Sequence, residues 1–145
     1  MRSSGVVLAI DFGHRRIGLA SGHQITGTAQ PLKTITHNGN PYPGISKVFS
    51  EWNPGQVVVG LPLSASGEET DMSRAVRAFV DELSDQHPGI EIVYQDERFS
   101  SQQADAQFKQ ARQEGRARRR HAENLDSHAA AVILETWFMN APRSN

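Results

Sequence analysis

Three acidic positions, far apart in the chain, have the settings that phosphodiester chemistry asks for. Asp11 ends the apolar run Val6-Val7-Leu8-Ala9-Ile10 and is followed by Phe12-Gly13. Asp96-Glu97 ends a second such run, Ile90 to Gln95, and Asp126 stands in the first turn of an apolar helix that begins near Leu125. A carboxylate at the exit of a buried strand must be hydrated, paired or bound to a cation, because an unpaired buried charge is costly. Carboxylates converging without cysteine or paired histidine ligands make an all-oxygen site, which suits Mg2+ or Mn2+. Ions held in this way activate water and stabilise the leaving oxygen in phosphodiester cleavage. Each acid alone also has a structural reading: Asp11 as a turn cap, Asp126 as a partner of the helix dipole. The dipole does not account for where Asp126 sits. It lies beside Ala129, Ala130 and Ile133 at the edge of an apolar stripe, while Glu123 would serve the dipole from a more exposed position.

Other chemistries do not find their residues. Cysteine is absent, which excludes disulfides, thiolate nucleophiles and thiolate metal sites. The six histidines show no metal-ligand spacing, and there is no G-x-S-x-G elbow, Walker A sequence or G-x-G-x-x-G fingerprint. The net charge of −1 argues against a generic polyanion binder. Its distribution is uneven, however. Arg112, Arg116, Arg118, Arg119 and Arg120 crowd one segment with His121, and acids concentrate between Glu68 and Glu97. Such a chain can hold a polyanion in one place and cations in another.

The elements that must position these groups follow from hydrophobic pattern. One domain, residues 1–145, suits the length. Val6 to Asp11 reads as a central strand buried on both faces, hairpinned to Ile17-Gly18-Leu19-Ala20, with Gly13 and Gly18 leaving space near Asp11. Gln24 to Ile35 reads as a third antiparallel strand, which Pro31 pushes to an edge or ends early. A helix carries Ile45, Val48, Phe49 and Trp52 inward and stops at Asn53-Pro54-Gly55. Val57-Val58-Val59 marks a parallel strand, followed by a small-residue loop, Leu63 to Thr70. A second helix has its stripe at Met72, Ala75, Val76, Phe79, Val80 and Leu83 and ends at His87-Pro88-Gly89. After the fifth strand, Ser100 and Gln103 form a capping box for a helix with Ala104, Phe108 and Ala111 inside. The last helix turns Leu125, Ala129, Val132, Ile133, Thr136 and Trp137 to one face. This is an α/β order: a five-stranded mixed sheet, antiparallel in its first three strands and parallel in the later ones, flanked by helices. Right-handed crossovers bring Asp11, the Leu63–Thr70 loop and the Asp96–Arg98 triplet to one sheet edge, where ligands bind in open α/β sheets. Strand alternation sends Asp96 and Glu97 to opposite sides unless the strand has already ended. Glu97 is preferred for the site side, leaving Asp96 to hold Arg98 or cap the next loop. No N-terminal apolar leader or span of about 20 apolar residues is present, so a soluble intracellular protein is expected.

Four segments in order resemble the YqgF (RuvX) family: Asp11-Phe12-Gly13 with Ile17-Gly18-Leu19-Ala20; Val59-Gly60-Leu61-Pro62-Leu63; Asp96-Glu97-Arg98 with Ser100-Ser101; and Asp126-Ser127-His128-Ala129-Ala130. The resemblance runs from Val6 to Phe138. It implies a ribonuclease-H-like fold, a cytoplasmic location and trimming of the 5′ end of the 16S rRNA precursor, in a family also described as Holliday-junction-resolvase-like. It further implies an acidic site of Asp11, Glu97 and Asp126 with a divalent cation. Two departures stand out: Ala122-Glu123-Asn124-Leu125 replaces the lysines often found before the last Asp, and Ser66 stands where Asp or Asn often precedes Gly67.

The expected activity is therefore metal-dependent nuclease action, catalysed by Asp11, Glu97 and Asp126 with Mg2+ or Mn2+. Arg15, Arg16, Arg98, Arg118, Arg119 and Arg120 would hold phosphates, and salt would weaken binding steeply. The expected substrate is precursor rRNA, with branched DNA as the alternative and ribosomal assembly intermediates as further partners. A different class of function is a non-catalytic RNA-binding or assembly factor that keeps the acids for structure. Nucleotide hydrolysis, suggested by the Asp-Phe-Gly hairpin alone, lacks the second domain it would need. Trp52, Phe79, Phe108 and Trp137 are all expected on core faces, leaving shape and backbone, not base stacking, to recognise the nucleic acid.

Overall fold

A computed structural model describes residues 5–99 and 121–140. Its sheet has strands β1 (Val6–Asp11), β2 (Arg16–His23), β3 (Ala29–Thr36), β4 (Gln56–Leu61) and β5 (Glu91–Asp96), in the spatial order β3-β2-β1-β4-β5. The first three pair antiparallel, and β1–β4 and β4–β5 pair parallel. Helices α1 (Tyr42–Trp52), α2 (Asp71–Gln86) and α3 (His121–Asn140) complete the described elements, with one 3-10 turn at Glu97–Phe99. The mixed sheet read from the sequence is thus the one observed. The helix placed after Ser100, and Arg118, Arg119 and Arg120, lie outside the described residues.

β1 is central because it can be buried on both faces. Val7, Leu8, Ala9 and Ile10 have no solvent exposure. One face carries large side chains: Leu8, Ile10, Ile17, Leu19, Val57, Val59 and Leu61 meet Ile45, Val48 and Phe49 of α1 and Val76, Phe79, Val80 and Leu83 of α2. The other face is built from smaller ones. Val7, Ala9, Ala20 and Val58 pack under Ala130, Ala131, Ile133 and Leu134 of α3.

Local chemistry sets the element ends. Thr70 caps α2 by accepting from the Ser73 amide at 3.0 Å, while the Ser73 hydroxyl accepts from the Thr70 amide at 2.7 Å. Asn53 ends α1 in the left-handed region at φ 48°.

Several expectations are corrected. β3 begins at Ala29, not Gln24, because residues after His23 turn first: Gly27 has φ +66° and its amide donates to the His23 carbonyl. Of the two outcomes expected of Pro31, the edge position is the one observed, and the strand runs on past it. Pro31 pairs with Ala20, and the register shift between Leu19 and Ala20 accommodates it. Trp52 is 37 % exposed, since α1 ends there and its ring clears the core. Leu125 is equally exposed, and the buried stripe of α3 runs through Ser127, Ala130, Ala131, Ile133, Leu134 and Thr136. From Ala129 to Leu134 the helix is apolar all round, so hydrophobic spacing could not identify the face that alanines bring closest to the sheet.

Candidate active site

The described acids are organised around Asp11, the last residue of the central strand. Its side chain follows Val7 and Ala9 on alternate positions, which puts it on the sheet face that α3 covers. Its neighbours in the sheet are both glycines. Gly18 is its antiparallel partner on β2. On the other side, Gly60 lies one step beyond the parallel pair Ile10–Val59.

Each glycine admits one of the other two acids. A Cβ on Gly18 would stand 1.9 Å from the Asp126 carbonyl oxygen and 2.9 Å from the Ser127 amide, so α3 rests its backbone directly on β2 there. A Cβ on Gly60 would stand 2.7 Å from Oε2 of Glu97 and 2.6 Å from Cδ1 of Ile133. The Glu97 carboxylate therefore lies over Gly60, on the Asp11 side of the sheet. The reading that Gly18 leaves space near Asp11 is right about the space, and the occupant is the backbone of the chain's own last helix. Gly13 does something else: a Cβ there would strike the Arg16 carbonyl at 2.4 Å, so it serves the tight β1–β2 turn. His37 fastens that turn through Nε2, 3.0 Å from the Gly13 carbonyl.

Crowding three acids has an electrostatic consequence. Burial raises the Asp11 pKa to about 7, and the charges of Glu97 and Asp126 push it the same way. Glu97 is also raised, first by burial and then by Asp96. Asp96 is different. β5 ends at Asp96, and Glu97 opens the 3-10 turn, so simple strand alternation no longer relates the two. Asp96 faces Arg98, accepting from its backbone amide at 2.9 Å and from its guanidinium at 2.8–3.2 Å. Those hydrogen bonds hold the Asp96 carboxyl below its ordinary range.

Two of the expected phosphate-binding arginines also have described partners. Arg98 reaches the Ala65 carbonyl at 3.4 Å, and its guanidinium lies 3.0 Å from where a Gly67 Cβ would be. It straps the loop after β4 to the end of β5, and Gly67 permits this with φ +90°. Arg16 sets Nε 2.9 Å from Oδ2 of Asp126. That oxygen is buried and accepts no aligned hydrogen bond, so the contact is an ion pair. Arg15 is exposed beside it in sequence.

Among the described residues, no three acidic or histidine side chains are gathered tightly enough to hold a metal ion as they stand. The chemistry of the donor set nonetheless fits one. All its atoms are oxygens, their charges repel in a buried place, and a hard divalent cation would relieve that repulsion. The pairing of Arg16 with Asp126 and the part played by Gly60 were missed in the sequence. The second had a signal, because a glycine interrupting a run of valines in a strand marks a close approach.

The comparisons with known proteins agree along the chain. A family model described as RuvX, Holliday junction resolvase, matches residues 5–140. A relative from Edwardsiella ictaluri, named "Putative pre-16S rRNA nuclease", is 41 % identical over 139 residues, covering 94 % of this chain and 96 % of its own. A relative of the same name from Histophilus somni is 42 % identical over 137 residues, covering 92 % and 94 %. Among solved structures, the Fowlpox virus resolvase in complex with Holliday junction DNA superposes with a TM-score of 0.56 at 8 % identity, covering 95 % of this chain and 99 % of that one. That likeness concerns the fold, which is ribonuclease-H-like.

Proposed function

This chain belongs to the RuvX family, and from that premise we propose that it is a single-domain, metal-dependent nuclease that trims the 5′ end of precursor 16S rRNA in the cytoplasm. The names of its relatives support that substrate, and the family description and the resolvase fold make branched DNA the alternative. One observation carries the reading. The two sheet neighbours of Asp11 are glycines, and the space over each is taken by Glu97 or by the Asp126 backbone. A fold that needed only a core would fill those places with side chains.

Asp11, Glu97 and Asp126 would hold Mg2+ or Mn2+, which supplies charge neutralisation at the scissile phosphate and activates water for attack. Asp11, titrating near neutrality, must give up its proton for the site to carry full charge. Arg16 opens β2 paired with Asp126, and Arg15 precedes it, exposed; both would meet the phosphate backbone. Arg98 would join them only by loosening its grip on Asp96. Arg118, Arg119 and Arg120 are proposed as further phosphate contacts. No described helix is long and apolar enough to cross a membrane.

The test is cleavage of precursor 16S rRNA by the pure protein in Mg2+ or Mn2+, beside Asp11→Asn. Release of the 5′ leader by the wild type and none by the variant is expected. Equal activity in the two would defeat the assignment. The Arg16–Asp126 pair favours one second reading, an RNA-binding assembly factor whose acids serve structure. RNA binding indifferent to EDTA, with no product at any metal concentration, would support it instead.

A further inference from the structure

Arg16 already holds one of the carboxylates that a divalent cation would need. The Arg16 guanidinium pairs with Oδ2 of Asp126 through its inner nitrogen, Nε, at 2.9 Å. That oxygen belongs to the acid whose own backbone α3 sets over Gly18, the strand partner of Asp11, and it accepts no aligned hydrogen bond. A guanidinium and a divalent cation on one carboxylate repel, so each weakens the other's hold on Asp126. The arginine is half-exposed, with 48 % of its side chain accessible, so a solvent-borne anion can reach it. Its guanidinium has the fork geometry that suits a phosphate.

We infer that Arg16 is a positioning residue that makes metal binding and nucleic-acid binding reinforce each other. Without nucleic acid it occupies Asp126 and keeps the third carboxylate from the ion. A phosphodiester gives Arg16 another partner, and Asp126 is released to complete the site. The coupling is reciprocal by thermodynamic necessity: metal bound first frees Arg16 for phosphate. It would keep the nuclease poorly loaded with metal until a substrate strand lies across the start of β2. The inference rests on the acidic-site reading above, yet it fails separately from it. Asp126 is seated by its backbone against Gly18 and not by Arg16, so removing the arginine's charge leaves the helix in place.

The experiment is equilibrium Mn2+ binding, read by the electron paramagnetic resonance of free Mn2+, on the full chain. Wild type, Arg16→Gln, Asp126→Asn and the double variant are compared, with and without short poly(U) RNA whose own Mn2+ uptake is subtracted. Couplings of this kind are commonly about 5- to 150-fold. Arg16→Gln should bind Mn2+ about tenfold more tightly than wild type without RNA, within that range. RNA should tighten wild type and leave Arg16→Gln unchanged, and the double variant should match Asp126→Asn. Unchanged or weaker Mn2+ binding in Arg16→Gln, with Asp126→Asn still weakened, would overturn the inference and leave the metal site standing. Mn2+ binding indifferent to Asp126→Asn would remove both.

Discussion

The two faces of the sheet solve opposite problems with the same five strands. Under α1 and α2, Leu8, Ile10, Leu19, Val57 and Val59 fill space and make a thick apolar layer. Under α3, Gly18, Ala9, Ala20 and Gly60 leave space open, and the helix backbone comes down onto β2. The first arrangement maximises burial and stability. The second gives up side-chain volume, and in return the Glu97 carboxylate and the Asp126 backbone come over the glycines that flank Asp11. Alternation along β1 puts the two outcomes one residue apart, with Ile10 facing the core and Asp11 the site.

That comparison can be broken or sharpened by substitution. The largest effect belongs to Asp11→Asn, which should lower cleavage by about 10²-fold or more, the scale on which a charged catalytic contact acts. The same variant should raise the melting temperature in EDTA above neutral pH, because it removes a charge that burial and two acids oppose. On the opposite face, Leu8→Ala should cost about 2–5 kcal/mol, the usual range for a fully buried leucine. Denaturant unfolding measures this, and activity per folded molecule should be unchanged. Gly18→Ala drives a methyl into backbone, which cannot swing aside, so its cost should reach or exceed the upper part of the usual overpacking range of about 1–3 kcal/mol, with cleavage lost. Gly60→Ala meets only the ends of Glu97 and Ile133, so the lower part of that range of about 1–3 kcal/mol is expected, with cleavage impaired through Glu97.

The pH dependence follows from the same crowding. In EDTA the folded chain keeps the Asp11 proton up to about pH 7, whereas the unfolded chain releases it near 3.8. Between those values the native state binds more protons, so stability should fall as pH rises through that window and level off above it. The ceiling on this loss is on the order of 4 kcal/mol. Chemical denaturation from pH 4 to 8 would show it, and Asp11→Asn should flatten the curve. A wild-type profile that rises over this interval would mean that Asp11 is paired in the metal-free protein.

Much of this was legible before any coordinates. Unbroken valines marked β4 as covered on both faces, and the hairpin after Asp11 made β1 central. What the sequence could not give was the close approach of α3. Ala129 to Leu134 is apolar on every side, so the choice of buried face depends on which residues let the helix sit lowest, a matter of small side chains on β1 and β2. Leu125, expected inside, is exposed for that reason. The Arg16–Asp126 pair joins residues 110 positions apart in the chain and leaves no local pattern.

The most direct measurement is cleavage of precursor 16S rRNA per folded molecule by Gly18→Ala and Leu8→Ala, with the folded fraction of each taken from its unfolding curve. If small residues on one face exist to bring the carboxylates together, Gly18→Ala loses activity far beyond its loss of folded protein, and Leu8→Ala loses none. Activities that fall only in proportion to the folded fraction in both variants would contradict that claim.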